Sequence, residues 1–122
     1  PKKYGKIINI GSIHSNAGMM GSEISAYCAS KGGVQMLTRQ LAVEWAKHNI
    51  TVNALGPSYF ISEMTQGAQD DPHFPEVLKA CCPMGRFGQP EELDGALIFL
   101  ASDASRFVTG HLLNVDGGWL AI

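Results

Sequence analysis

Two short runs of β-branched residues, with a long helix-patterned stretch between them, constrain the fold of this chain more than any other feature. Residues 6–12 (KIINIGS) and residues 50–55 (ITVNAL) have the composition of strands and are followed by turn residues, Gly56-Pro57 in the second case. Residues 26–47 carry the period of a helix. A connection of that length joins parallel rather than antiparallel strands, so the pattern predicts a strand–helix–strand unit.

The long helix is predicted to bury one apolar face. Its large apolar side chains recur at helical spacing: Val34, Leu37, Leu41, Ala42 and Trp45. Lys47 and His48 suit its C-terminus, and Asn49 is expected to adopt a left-handed conformation that ends it.

The second half of the chain predicts a shorter helix pair and a last strand. Residues 58–73 are polar, which predicts a mobile loop. Residues 75–82 are predicted to form a short helix. A further helix starts at residues 89–92 (QPEE), with this expected buried stripe: Leu93, Ala96, Leu97 and Leu100. Residues 111–115 form the final strand. The order of the elements predicts an α/β fold with a parallel sheet covered by helices.

Charge and cysteine content exclude several classes of function. The 122 residues have a net charge of −2, which argues against a nucleic-acid partner. No apolar run approaches the ~20 residues that cross a membrane. Three cysteines, two of them adjacent, do not form a disulfide framework, so we expect a cytoplasmic protein. No metal-binding spacing is present, and His14 and His111 are expected to be surface or turn residues.

Ligands of open parallel α/β sheets bind beyond the carboxyl ends of the strands. Three segments of the chain qualify, namely residues 11–12, 56–62 and 116–118. Ser12 directly follows the first strand and could donate a hydrogen bond to a substrate oxygen, or it could simply cap a turn.

Tyr27 and Lys31 form a second candidate pair. Their i, i+4 spacing places the phenol and the ammonium on one helix face, where the lysine charge favours the phenolate. The alternative is a solvated pair without function. Gly32-Gly33 follows, and a glycine pair inside a helix suggests that a cofactor, a neighbouring helix or a second subunit packs close to the backbone.

Four stretches stand together in an order and spacing that match a known family: residues 5–12 (GKIINIGS), 27–34 (YCASKGGV), 50–57 (ITVNALGP) and 114–118 (NVDGG). They resemble the C-terminal half of a short-chain dehydrogenase/reductase over essentially the whole chain. Residues 44–50 and 115–121 look most like the gluconate and deoxygluconate dehydrogenases, with the acyl-carrier ketoreductases close behind. The resemblance implies a partial Rossmann-type doubly wound sheet, of which this chain holds three C-terminal strands with their helices.

The resemblance also implies catalytic roles. Tyr27 would be the general acid/base, Lys31 would favour its phenolate form, and Ser12 would steady the carbonyl oxygen of the substrate. The reaction would interconvert a secondary alcohol and a ketone, with a sugar, polyol or sugar acid favoured as the small-molecule substrate.

The implied cofactor is NAD or NADP. Tyr27 and Lys31 would meet the nicotinamide ribose, and Pro57 and the backbone of Phe60 would meet the nicotinamide. Ser62 stands where the family usually has threonine near the carboxamide or the phosphates.

The chain departs from the family pattern at two places near the site. Ser58 replaces the glycine that commonly follows Pro57. The loop between Ser12 and Tyr27 is longer than is common, which makes Ser15 a weaker rival for the serine role. Residues 58–73 and the helix after them would form a lid over the substrate.

The resemblance assigns residues 1–122 to the C-terminal part of one NAD(P)-binding Rossmann domain, without its Gly-rich N-terminal cofactor half. We therefore expect part of an oxidoreductase that is a homo-oligomer, either a tetramer or a dimer by analogy. The alternative is a non-catalytic fragment that acts only as an association module.

Overall fold

The computed structural model describes residues 3–122, so Pro1 and Lys2 of the predicted domain lie outside the described residues. Three strands and four α-helices alternate along the chain: β1 (Gly5–Ile10), α1 (Ser25–Trp45), β2 (Ile50–Pro57), α2 (Gln66–Asp70), α3 (Phe74–Cys81), α4 (Asp94–Ala101) and β3 (Leu112–Val115). Short 3-10 helices lie between them: Ile13–Ser15, Ala46–His48, Glu63–Thr65, Pro90–Leu93, Asp103–Ser105 and Trp119–Ala121.

The three strands form one parallel sheet in the order β1-β2-β3. Ile7 pairs with Val52, and Leu55 pairs with both Ile10 and Leu113. The predicted α/β fold with a parallel sheet is confirmed. Because β2 has a neighbour on each side, its residues 52–56 are all buried, whereas β1 is half-buried at one edge of the described sheet.

Strand β2 continues through Gly56 and Pro57, which were predicted to stop it. The two residues pair with Asn114 and Val115 of β3, so partners on a distant part of the chain extend the strand. A Cβ atom at position 56 would collide with the Asn114 side chain, which shows that this glycine gives β3 room to approach.

Helix α1 turns a more polar face to the sheet than predicted. Its fully buried residues are Gln35, Thr38 and Ala42, whereas Leu37 is 53% exposed. The Thr38 hydroxyl accepts a hydrogen bond from the Asn9 side chain (3.0 Å) and donates one to a backbone carbonyl oxygen one turn earlier in the helix (2.8 Å), so its polar group is satisfied in the interface.

The helix ends agree better with the sequence than the helix faces do. Asn49 has the predicted left-handed conformation, with φ of 58°. In α4, Leu100 is buried as predicted, but Leu97 is 44% exposed, so the expected stripe is only partly buried.

Residues 58–73 are more ordered than the predicted mobile loop, since they contain a 3-10 helix and α2. Ser62 and Thr65 form a capping box at the start of this segment, with the Ser62 N–H donating to the Thr65 hydroxyl (3.2 Å). The predicted short helix after it is confirmed, one residue earlier, as α3.

An apolar cluster holds α3 against the carboxyl edge of the sheet. Its buried members are Ile13, Phe74, Leu78, Cys82 and Trp119. The cluster joins the segment after β1 to the segment after β3, and so it fixes the walls of the region in which ligands of such sheets bind.

Candidate functional site

A cleft of about 300 Å³ opens at the carboxyl edge of the sheet. Four segments supply its walls: the turn after β1, the start of α1, the turn after β2, and the segment that runs from the 3-10 helix Glu63–Thr65 into α2. Its lining includes Ser12, Ile13, His14, Ile24, Tyr27, Ser58, Tyr59, Met64, Thr65, Gly67 and Ala68. The structure thus brings two of the predicted site residues, Ser12 and Tyr27, into one cavity at the small end of the range typical for ligands.

Ser12 is buried at 4% exposure and occupies the N-cap of the 3-10 helix Ile13–Ser15. Its hydroxyl oxygen accepts a hydrogen bond from the backbone N–H of His14 (3.1 Å). An accepted bond leaves the proton of the hydroxyl available for a further acceptor. The capping and donor roles proposed for Ser12 are therefore compatible.

Ser15 occupies a different place. The Ser15 hydroxyl oxygen accepts a hydrogen bond from the backbone N–H of Ser12 (3.1 Å), which completes the capping box. Ser15 is not part of the cleft lining. The geometry therefore favours Ser12 over Ser15 as the donor to a substrate.

Tyr27 and Lys31 lie on the same face of α1, as their spacing requires. The Lys31 Nζ atom is 5.9 Å from the centre of the Tyr27 ring and donates a hydrogen bond to the carbonyl oxygen of Ile10 (3.0 Å). An ammonium has three N–H donors, so two remain after the bond to β1. These two donors are the ones that the resemblance would direct to the nicotinamide ribose.

The glycine pair after Lys31 has no crowded neighbour among residues 3–122. A Cβ atom at Gly33 would meet no other atom within 4 Å, and one at Gly32 would meet only the Ser15 carbonyl oxygen at 3.8 Å. Within residues 3–122, the 3-10 helix Ile13–Ser15 is thus the one neighbour of Gly32, and nothing packs against Gly33.

The other predicted site residues are not part of the cleft lining, namely Lys31, Pro57, Phe60 and Ser62. Pro57 is the half-buried last residue of β2, and Ser62 is exposed where it caps its 3-10 helix. The Phe60 side chain is buried against Gly88 and lines a separate cavity of about 110 Å³. That ring therefore points away from the cleft, and the carbonyl oxygen of Phe60 accepts a hydrogen bond from the Thr65 hydroxyl.

Tyr59 is a cleft residue that the sequence patterns did not indicate. Burial raises the pKa of its hydroxyl, and the negative charges of ionised Tyr27 and Cys81 raise that pKa further. The hydroxyl also donates to the sulfur of Met19 (3.2 Å). Tyr59 thus has a hydrogen-bond partner of its own in the wall of the cleft.

His14 is the second residue that the sequence patterns missed. It was expected at the surface or in a turn, but it is only 6% exposed and lines the cleft. Its position two residues after Ser12 was the one available signal, and its burial depends on packing against α1, which no local pattern reports.

Neither a metal site nor a membrane span occurs within residues 3–122. No cluster of three or more His, Cys, Asp or Glu residues could hold a metal ion there, and no helix of that range is long and apolar enough to cross a membrane.

Comparison with known proteins relates this chain to reductases and dehydrogenases. A family model described as Enoyl-(Acyl carrier protein) reductase matches residues 1–120. The 5-keto-D-gluconate 5-reductase of Escherichia coli (strain K12) is 51% identical over 119 residues, which are 98% of this chain and 46% of that protein. The gluconate 5-dehydrogenase of Gluconobacter oxydans (strain 621H) is 46% identical over 118 residues, covering 97% of this chain and 45% of that protein.

A solved structure gives the same relationship in three dimensions. A gluconate 5-dehydrogenase from Burkholderia cenocepacia J2315, in complex with NADP and tartrate, superposes with a TM-score of 0.94 at 45% identity, over 98% of this chain and 46% of that chain. This likeness confirms the predicted Rossmann-type fold. The chain spans about half the length of the relatives that it matches.

Proposed function

This chain belongs to the short-chain dehydrogenase/reductase family, and from that premise we propose that it carries the proton-transfer site of an NAD(P)-dependent oxidoreductase. The reaction interconverts a secondary alcohol and a ketone. The observation that supports this proposal most directly is the convergence of the Ser12 and Tyr27 side chains on one cleft at the carboxyl edge of the sheet.

In the direction of ketone reduction, the Tyr27 hydroxyl donates its proton to the carbonyl oxygen as the C=O double bond becomes a C–O single bond. The Ser12 hydroxyl donates a hydrogen bond to the same oxygen while negative charge develops on it. The Lys31 ammonium, one helical turn away, stabilises the phenolate that Tyr27 becomes. In the direction of oxidation, the phenolate takes the proton back.

The residues around the cleft suit the nicotinamide half of NAD or NADP. Lys31 has two free N–H donors for the ribose hydroxyls, and the turn formed by Pro57 and the Phe60 backbone lies at the carboxyl end of β2. Ser62 is exposed beyond that turn. When bound, the cofactor supplies or accepts the hydride at the substrate carbon.

For the substrate, we propose a sugar, polyol or sugar acid. The proposal follows the relatives, whose names specify keto-gluconate and gluconate as what they act on. The cleft agrees with a polar substrate because hydroxyl and imidazole groups are interspersed with its apolar walls.

Substitution of Tyr27 by phenylalanine tests the proposed function. In the full-length gene product, Tyr27→Phe should reduce the turnover of 5-keto-D-gluconate with NADPH or NADH to background, while cofactor binding measured by fluorescence is retained. Tyr4→Phe is the matched control, because Tyr4 is exposed and its hydroxyl donates to Asp103. Turnover that survives in Tyr27→Phe would refute the assignment.

A homo-oligomer, either a tetramer or a dimer, is the proposed assembly. Large apolar side chains remain exposed on α1, on α4 and after α4: Met36, Leu37, Val43, Ile98 and Phe107. The same surface would serve the alternative, an association module without catalysis. A titration of NADH fluorescence against the 122-residue chain separates the two, since tight stoichiometric binding excludes the alternative.

The cytoplasmic location stays a prediction from cysteine content.

A further inference from the structure

His14 is held rigidly in the wall of the cleft by two hydrogen bonds. Its backbone N–H donates to the Ser12 hydroxyl oxygen (3.1 Å), and its ring Nδ1 lies 2.9 Å from the carbonyl oxygen of Ala17. A carbonyl oxygen only accepts hydrogen bonds, so Nδ1 carries the proton of this contact. In the neutral ring, Nε2 then presents a lone pair.

The Nε2 atom is buried and has no hydrogen-bond partner among the described residues. Buried polar atoms are nearly always paired, so an unpaired acceptor in a cleft wall indicates a partner that residues 3–122 do not provide. Two neighbouring hydroxyls of the cleft are already used. Thr65 donates to the Phe60 carbonyl oxygen, and Tyr59 donates to the sulfur of Met19.

The ring lies beside both groups that would hold the substrate carbonyl. Its centre is 6.0 Å from that of the Tyr27 ring, with the two planes nearly perpendicular at 77°, and its backbone is bonded to Ser12. A carbonyl oxygen that reaches the Ser12 and Tyr27 hydroxyls therefore brings the neighbouring substrate carbons towards His14. Nε2 itself exposes less than 1 Å², so a ligand that pairs with it has to displace part of the cleft wall.

We propose that His14 Nε2 accepts a hydrogen bond from a substrate hydroxyl next to the reacting carbon, and that His14 thereby selects hydroxylated substrates over hydrocarbon ones. This role rests on the proposed function and adds the residue that sets its substrate class. A keto or carboxylate oxygen cannot satisfy Nε2, because it has no proton to donate. A hydroxyl can.

Two variants distinguish the role of Nδ1 from the role of Nε2. In His14→Asn, the amide nitrogen stands near the place of Nδ1 and can keep the bond to Ala17, but nothing replaces Nε2. In His14→Gln, the longer side chain reaches the place of Nε2. Circular dichroism establishes that each variant is folded.

The probes are meso-2,3-butanediol and 2-butanol, which differ by one hydroxyl next to the reacting carbon. In the full-length gene product, His14→Asn should lower the ratio of kcat/KM for the diol to kcat/KM for 2-butanol about tenfold, the change expected for one unpaired hydrogen bond. The loss should fall mainly on KM for the diol, and His14→Gln should restore part of it. An unchanged ratio, or an equal loss with both alcohols, overturns the proposal.

A binding measurement separates this inference from the proposed function. Calorimetry gives the Kd of D-gluconate for the wild type and for His14→Asn, whether or not turnover occurs. A Kd raised about tenfold in the variant supports the role of His14 even if neither alcohol is oxidised, and that absence of oxidation would count against the proposed function alone. Equal Kd values, or no binding by the wild type, overturn the inference.

Discussion

The backbone N–H of His14 donates a hydrogen bond of 3.1 Å to the hydroxyl oxygen of Ser12. In this bond the serine hydroxyl acts as an acceptor, so its own proton remains free to be donated into the cleft. The same turn directs the Ser15 hydroxyl to the backbone of Ser12. One 3-10 helix therefore places the Ser12 side chain in the cleft lining and the Ser15 hydroxyl against the backbone.

Replacing each serine by alanine tests that division of roles. Ser12→Ala should lower kcat/KM for 5-keto-D-gluconate by about 10²-fold, the range seen when one donor to a developing oxyanion is removed. Ser15→Ala should cost less than about tenfold, because it removes only a cap. Steady-state kinetics of the two variants in the full-length gene product give the comparison. A larger loss in Ser15→Ala would transfer the catalytic role to Ser15.

Gly88 supports the turn that carries Phe60. A Cβ atom at position 88 would lie 2.5 Å from a carbon of the buried Phe60 ring, so the ring or the backbone would have to shift. Gly88→Ala should therefore lower the free energy of unfolding by about 1–3 kcal/mol through overpacking. Chemical denaturation measures the change.

Gly95 provides the matched control for that substitution. It lies in α4, and a Cβ atom there would meet no other atom within 4 Å. Gly95→Ala should leave stability unchanged or raise it by up to about 1 kcal/mol. Equal destabilisation by the two substitutions would contradict the contact between Gly88 and Phe60.

The Arg86–Glu92 pair should make stability depend on pH in the acid range. Hydrogen bonds from the Arg86 guanidinium and from the Gln89 backbone N–H lower the pKa of Glu92 to about 2 from its usual 4.5. A carboxyl with a lowered folded-state pKa stabilises the fold fully above its unfolded-state pKa. That contribution is lost as the pH falls from about 4.5 towards 2.

Glu92→Gln tests the pair, with Glu91→Gln as the same change on the neighbouring residue. The Tm of Glu92→Gln should lie below that of the wild type at pH 7, and the difference should shrink as the pH falls towards 2. Since both partners of the pair are exposed, added salt should also reduce the difference. A Tm difference that is constant from pH 7 to pH 2 would show that the ion pair does not cause it.

Sequence patterns predicted the elements well and their buried faces less well. The left-handed Asn49 and the proline-led start before α4 follow from local backbone chemistry, and both occur as expected. The burial of Thr38 in place of Leu37 does not follow from such rules. It depends on Asn9 of β1, a partner 29 residues away that satisfies the threonine hydroxyl.

The sequence by itself determined the order of strands and helices and the common face of Tyr27 and Lys31. Apolar periodicity and the i, i+4 rule act over one or two turns of chain, so they can be read without knowing the fold. Only the tertiary structure decided that β2 runs through Pro57, that Ser12 rather than Ser15 faces the cleft, and that His14 is buried beside Tyr27. Each of these depends on partners brought together by the packing of distant segments, and local sequence does not contain that information.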